Sequence, residues 1–442
     1  MFNKLSTGWV AILVLCVFGF SACDDEDVVT PPAIGTITTI AADDGRFTVL
    51  VSALQRTGLD AALNIASSRY TVFAPTDDAF AASGIDLASV SDDDLADILR
   101  YHVISGGTIY RSANIPAGIT ELGTLNDEGP VALPVTVNNA TGGITVNGAN
   151  VVVADVEAVN GVIHAIDAVL LPPSIADRAI ADGRFTTLLA ALARTGLDVT
   201  LSADGDYTVF APTDDAFAAA GIVLDDVTDE DLTALLLYHV VGVAIPAGDI
   251  ASGDNFVASL SATGPGESTL SLLVNQTAGA VTINGDATVV VANVFANNGV
   301  IHAIDKVLAP QSIVDFATKA EGLSSLAGAL TGANLVSVLS GDGPFTVFAP
   351  VNSAFEAAAD VIATLSAEQV TNVLLYHVVA GANVRSDALP EATTTVNGDM
   401  LIFNGATIET STMQAVNIAL TDIQATNGVV HLVPAVLVPT NL

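Results

Sequence analysis

The chain has 442 residues, half of them hydrophobic, and carries 48 acidic against 12 basic side chains for a net charge of −36. So negative a surface repels phosphate backbones and anionic headgroups, which excludes nucleic acid and electrostatic membrane recruitment. Excess carboxylate also costs stability through self-repulsion that salt relieves, so the balance fits either a saline habitat or a general solubility device.

Behind Lys4, Trp9–Phe20 is a nearly unbroken apolar run. It falls short of the ~20 residues that span a bilayer as a helix. It reads as a secretory signal peptide over residues 1–22. The run ends Phe20-Ser21-Ala22-Cys23, which resembles a bacterial lipobox with Phe20 in place of the usual aliphatic residue. Lipidation of Cys23 is the expectation; the alternative is ordinary cleavage after an Ala, with Cys23 as a loose thiol. If Cys23 is acylated, Cys16 leaves with the signal and the mature chain has no free thiol and no disulfide. Cysteine catalysis and cysteine metal sites then fall away together. Two or more acyl chains hold a protein on a bilayer. Asp24-Asp25-Glu26-Asp27 resembles a surface-export signal of bacterial lipoproteins, or is a solvated acidic tether. Thr30-Pro31-Pro32 adds a stiff spacer, so residues 23–33 form a tether. The expected location is the cell envelope, lipid-anchored in the outer membrane and facing either the surface or the periplasm.

From Ile34 the chain repeats. TVFAP recurs at Thr71–Pro75, Thr208–Pro212 and Thr346–Pro350, and Tyr101-His102, Tyr238-His239 and Tyr376-His377 follow 137 and then 138 residues apart. So long a period is one whole domain per copy. The boundaries expected are 34–172, 173–310 and 311–439. Each copy opens with a helical stripe: Phe47, Leu50, Val51, Leu54; Phe185, Leu188, Leu189, Leu192; Leu323, Leu326, Ala327, Leu330. In copies two and three Ser174…Asp177 and Ser312…Asp315 enter this region with capping-box spacing, directly after Pro. The short joints Leu171–Pro173 and Ala309-Pro310 predict stiff stacking of the copies.

A β-branched run at Tyr70–Phe73 and its counterparts predicts a strand. Thr76-Asp77-Asp78 then opens a further helix, with Thr as N-cap and the acids complementing the helix dipole. Adjacent carboxylates invite a metal or acid–base role, but Val351-Asn352-Ser353 in copy three lacks both charges and predicts capping alone. The next helix starts with the boxes Ser91…Asp94, Thr228…Asp231 and Ser366…Gln369. Its stripe runs Leu95, Ile98, Leu99, His102 and its counterparts, placing each histidine at the i+7 position of the buried face. A histidine there is predicted neutral and bonded to a backbone carbonyl or hydroxyl.

The second half of each copy reads as strands. Asn147-Gly148 and Asn284-Gly285 between β-branched runs signal tight hairpins, and copy three has Asn397-Gly398 and Asn404-Gly405 in a shorter stretch. Each copy closes with NGVIHAID or a variant, at Asn160, Asn298 and Asn427. Apolar residues on both faces of that segment predict a strand covered on both sides, with His164, His302 and His431 inside.

TVFAPTDDAF, the central Tyr-His and the closing GVIHAID…LP resemble the signature boxes and middle motif of fasciclin domains, three times over Ile34–Pro439. The resemblance implies an α+β fold, each domain a compact β-sandwich or wedge with packed helices. It also implies extracellular adhesion or matrix binding without catalysis. In animal members the Tyr-His region is linked to receptor binding, which carries Tyr101, His102, Tyr238, His239, Tyr376 and His377 over as binding residues. That carry-over conflicts with their expected burial, and the two meet only if the pair supports exposed neighbours. Copy three departs at Val351-Asn352-Ser353 and at Pro434, which puts its sharing of the role in doubt.

No HExxH, P-loop or strand-borne glycine fingerprint is present, and all six histidines sit in the repeated motifs, leaving none for a Ser-His-Asp set. Asp92-Asp93-Asp94 and Asp225-Asp226 lack EF-hand spacing and sit at helix starts. The sequence therefore predicts a non-enzymatic, cofactor-free and metal-free envelope lipoprotein that contacts an extracellular protein or polysaccharide through repeated weak sites. The alternative is a periplasm-facing lipoprotein binding polysaccharide or a small ligand.

Overall fold

The computed structural model describes residues 35–126, 133–203 and 205–442. The signal run, Cys23 and the acidic tether lie outside the described residues. Domain 1 runs through α1 (Ile37–Asp43), α2 (Thr48–Thr57), α3 (Leu59–Leu63), β1 (Tyr70–Pro75), α4 (Asp77–Ser83) and α5 (Asp92–Tyr101). Then come β2 (Val103–Ile104), β3 (Gly118–Gly123), β4 (Pro134–Ala140), β5 (Gly143–Val146), β6 (Ala149–Ala158) and β7 (Gly161–Ile166). Domains 2 and 3 repeat this order.

Where the sequence predicts one opening helix, the structure has two in succession. The Ser174 box opens Ile175–Asp182, Gly183 ends it in the left-handed region at φ 77°, and a second helix, Thr186–Thr195, starts after Phe185. A left-handed residue at the helix end is a stop signal that Gly supplies without steric cost. Ser312 opens Ile313–Lys319 in the same way.

β1 pairs in parallel with β7, register Thr71↔Val162 to Pro75↔Ile166, so the first and last strands of the domain lie side by side. β2 adds antiparallel at one edge, and the full order is β2-β1-β7-β6-β5-β4-β3. β6 spans both halves of this sheet. It has two register shifts against β7 and Asp155 at φ 59°. Such bulges bend a strand and steepen its twist. The outer half, β3 to β5, therefore folds back across one face of the β1–β7 pair.

Three layers result. Val72, Ala74, Ile163 and Ala165 meet Phe47, Leu50, Leu54, Leu95 and Leu99 on the helical side. Phe73, Tyr101 and Ile166 face Val135, Val137 and Val146 on the other. The central strands are buried on both faces, and every residue of β7 is buried. This is the α+β wedge that the resemblance implies. In domain 3 the long strand is broken into Ala415–Asn417 and Leu420–Ala425, and the sheet divides into two of four strands each.

The caps follow sequence with two corrections, the first being that Ser91 and Thr228 accept from Asp94 N and Asp231 N as N-caps without the reciprocal bond of the expected box. Thr76 and Thr213 accept from Ala79 and Ala216 as N-caps, and Ser366 with Gln369 closes a full capping box. Val351 provides no side-chain cap, so copy three does not keep the cap expected of it. The first acid of the TDD motif serves another helix. Asp77 accepts from Thr48 N, Thr48 Oγ1 and Val49 N at the start of α2. Asp214 does the same at Thr186 and Thr187. Asn352 keeps this bridge, accepting from Ser325 N at 2.9 Å, which explains why the charge is dispensable there.

Candidate functional site

α5 carries Tyr101 at its last turn and His102 as its C-cap residue, and both are 1% exposed. His102 Nδ1 donates to Ile98 O at 2.7 Å, one turn back, while Nε2 accepts from Leu170 N at 2.9 Å. His239 repeats this with Leu235 O and Leu308 N, and His377 with Val373 O and Leu437 N. A ring that donates from Nδ1 and accepts at Nε2 is neutral. Burial pushes each of these three histidines down to about 4, against a backbone bond to Nδ1 that acts the other way. Each imidazole ties the end of its helix to the segment that leaves the domain.

The tyrosines are equally occupied. Tyr101 Oη donates to Pro134 O at 3.0 Å and accepts from Asn147 Nδ2 at 2.8 Å. Tyr238 does so with Ser271 O and Asn284 Nδ2. Tyr376 donates to Met400 O and accepts from Ser411 N. In domains 1 and 2 the hairpin asparagines thus fasten the outer sheet to the Tyr-His helix, a link not visible in the Asn-Gly turn signal alone. Burial pushes the Tyr101 and Tyr238 phenols up. All six carried-over binding residues therefore sit inside the domain with their polar atoms engaged, and a partner meets only what surrounds them.

The second histidine set is the mirror tautomer. His164 Nε2 donates to Tyr110 O at 2.7 Å and Nδ1 accepts from Asp155 N, while the ring stacks on Phe73 at 5.5 Å. His302 and His431 follow the same plan. Burial lowers all three from the ordinary histidine value. These rings pin the β6 bulge and its counterparts to the loop after β2.

Sequence reasoning missed the asparagine before that strand. Asn160 accepts from Ile37 N at 2.9 Å and donates to Leu63 O and Ile65 O. Asn298 and Asn427 make the same three bonds. One buried amide thus caps the first helix and closes the end of the third. Its recurrence directly before Gly in all three copies was the available signal.

Several acids at the helix starts are engaged in caps and ion pairs, with Asp94 bonded to its cap residue Ser91. Asp92 and Asp229 pair with Arg56 and Arg194 at 2.7 and 2.6 Å. Each of those arginines also donates to two loop carbonyls. Among the described residues no three His, Cys, Asp or Glu side chains group closely enough to hold a metal ion, and no helix is long and apolar enough to cross a membrane. Domain 3 has Gly332 where the others have the arginine. Elsewhere in domain 3 an apolar cleft of about 270 Å³ opens among Ala354, Ala358, Ile362, Val373 and Val436. A more polar crevice of about 480 Å³ lies between domains 1 and 2, against Asp94, Asp97, Pro172 and Asn297.

The fasciclin domain model matches residues 45–172, 183–310 and 321–439. The chain is similar to rabbit (Oryctolagus cuniculus) transforming growth factor-beta-induced protein ig-h3, 32% identical over 70% of this chain and 44% of that one. It is 28% identical to human periostin over 84% of its length and 44% of periostin. It thus spans under half the length of these relatives. Protein sll1483 of Synechocystis is 44% identical over 31% of this chain and 73% of that protein. Among solved structures, an insect fasciclin I domain pair aligns at TM-score 0.32 and 20% identity, covering 60% of this chain and 98% of that chain. With three matches over most of its length, the chain belongs to the fasciclin domain family as three tandem copies.

Proposed function

We infer that the chain is a lipid-anchored envelope protein that mediates adhesion or matrix contact, without catalysis, through the variable outer surfaces of its three domains. Fasciclin domains occur in adhesion and extracellular-matrix proteins, periostin and ig-h3 among the relatives. The observation that carries the reading is the burial of three repeated polar motifs: the Tyr-His pairs, the second histidines and the asparagines are saturated inside the fold. With those motifs committed to the interior, the residues that differ between copies are the ones open to contact. An extracellular protein or polysaccharide is the partner class, and Cys23 is the anchor. Weak sites on one chain reinforce each other through effective concentration.

The test is binding of the three-domain chain, and of each domain alone, to arrays of matrix proteins and polysaccharides. The triple chain is expected to bind at least ~100-fold more tightly than any single domain. Equal affinities would remove the multivalent reading. Protease treatment of intact cells decides orientation: a surface protein is lost and a periplasm-facing one survives.

A further inference from the structure

The junction between domains 2 and 3 shows what covers one face of this fold. Equivalence across copies is fixed by the tyrosine hydroxyl, which bonds Pro134, Ser271 and Met400 in turn. The strand starting there in domain 2, Ser271–Thr277, has Leu273 packed into the domain 3 core with Ile313 and Phe316. Ser271 Oγ accepts from Gln424 N at 2.9 Å, Phe256 meets Phe316 edge-on at 5.6 Å, and Asp254 accepts from Gly322 N at 2.7 Å.

Burial along this face is graded. Ser271, Leu273 and Asn275 are buried. Their counterparts in domain 1, Pro134, Thr136 and Asn138, are half-buried. The matching residues of domain 3 are open, with Met400 51% and Ile402 47% exposed. The opposite, leading face has the reverse gradient. Gln424 of domain 3 is fully buried, its counterpart Phe295 in domain 2 is half-buried, and Glu157 in domain 1 is exposed. Ile109 holds the place of Asn383, which reaches across to Pro265 O. Ile109 is half-buried and Glu157 pairs with Arg111 at 2.6 Å, so the charge there is balanced.

The chain thus leaves Met400 and Ile402 open on the trailing face of domain 3 and, on domain 1, leaves free the counterpart of the face by which domains 2 and 3 each pack on the domain before them. We propose that Met400 and Ile402 form a docking surface for the leading face of domain 1 of a second copy, giving head-to-tail chains that continue the tandem junction. Such a contact is heterologous, so it does not close on itself and grows linearly unless a turn closes it. Each copy carries −36, so association is opposed by repulsion at low salt. It emerges as salt shortens the screening length to about 3 Å near 1 M. This inference is independent of what the outer surfaces bind.

Sedimentation velocity of the three-domain chain over rising concentration, at low and high salt, tests it. Linear oligomers are expected at high salt. Ile402→Asp removes the trailing face and Ile109→Asp the leading face, and each variant alone is expected to stay monomeric with an unchanged circular dichroism spectrum. Mixed, the two retain one good face each and are expected to form dimers and nothing larger. Glu157→Phe installs the residue domain 2 uses and is expected to lower the concentration for association about tenfold. A wild-type chain that stays monomeric at high salt overturns the proposal. So does association unaffected by either aspartate, or a mixture that forms no dimers while Glu157→Phe changes nothing.

Discussion

Lowering the pH from 7 to 5 attacks the three domains through His102, His239 and His377. All three are buried, and burial pushes them down to about 4. In the unfolded chain they return to about 6.5. The folded state therefore refuses a proton that the unfolded state accepts, so the stabilisation is whole above pH 6.5 and is lost as pH falls toward 4. The full difference is about 3 kcal/mol per domain, of which about 2 kcal/mol is gone by pH 5. Geometry gives the same sign, because a proton added at Nε2 would face Leu170 N, Leu308 N or Leu437 N, each already a donor. His164, His302 and His431 are lowered as well and add to the loss. Ordinary carboxylates titrate mostly below this window, so relief of acidic repulsion offsets little of it.

Urea unfolding in roughly 0.5 M salt, where repulsion is largely screened, reads the effect. With a typical slope of 1–3 kcal/mol per molar for a domain of this size, the midpoint is expected to drop by about 1 M between pH 7 and pH 5. The imidazole C2 protons of the three histidines should hold their chemical shifts over that range in the folded chain. A midpoint that does not move, or any of the three rings titrating near 6.5 while folded, would refute the reasoning.

Asn298→Ala strands Ile175 N–H and the Leu201 carbonyl in a buried setting, while the Ala203 carbonyl it also frees lies at the surface. At about 1–3 kcal/mol for each unsatisfied group, domain 2 should lose roughly 3–5 kcal/mol in urea unfolding. Gly299→Ala drives a methyl to 2.0 Å from Tyr207 O at φ 144°, so it should prevent stable folding of domain 2, visible as lost near-ultraviolet dichroism. Tyr238→Phe leaves Ser271 O and Asn284 Nδ2 without their partner and should cost about 1–3 kcal/mol. Asp229→Asn removes a mostly exposed ion pair with Arg194 and should shift stability by less than about 1 kcal/mol.

Patterns local in sequence were readable in advance. The i, i+3, i+4, i+7 stripe of α5 placed His102 inside, because helical periodicity depends only on backbone geometry. Both-sided apolar content marked β7 as a covered strand for the same reason. What escaped depends on which segments meet. Asp77 looks like a helix-start acid, and only the packing of α4 beside α2 turns it into the cap of Thr48 and Val49. The split of the opening helix turned on Gly183 adopting a left-handed conformation, which the apolar stripe does not encode. Asn160 bonds Ile37 across 123 residues, a distance no windowed pattern spans.

The same division bears on where function lies. Residues identical in all three copies, such as the Phe-Ala-Pro of each TVFAP and the histidines, answer to one interior that every copy must build. Residues free to differ sit where one copy faces solvent and another faces a neighbour. The series Glu157, Phe295, Gln424 is the clearest case. Each occupies the same register, opposite Val162, Val300 and Val429. Each suits its surroundings: charged and exposed on domain 1, aromatic against domain 1, amide and buried against domain 2. A position such as Ile402, apolar and open where its counterpart Leu273 is covered, is then a residue whose partner lies outside its own chain.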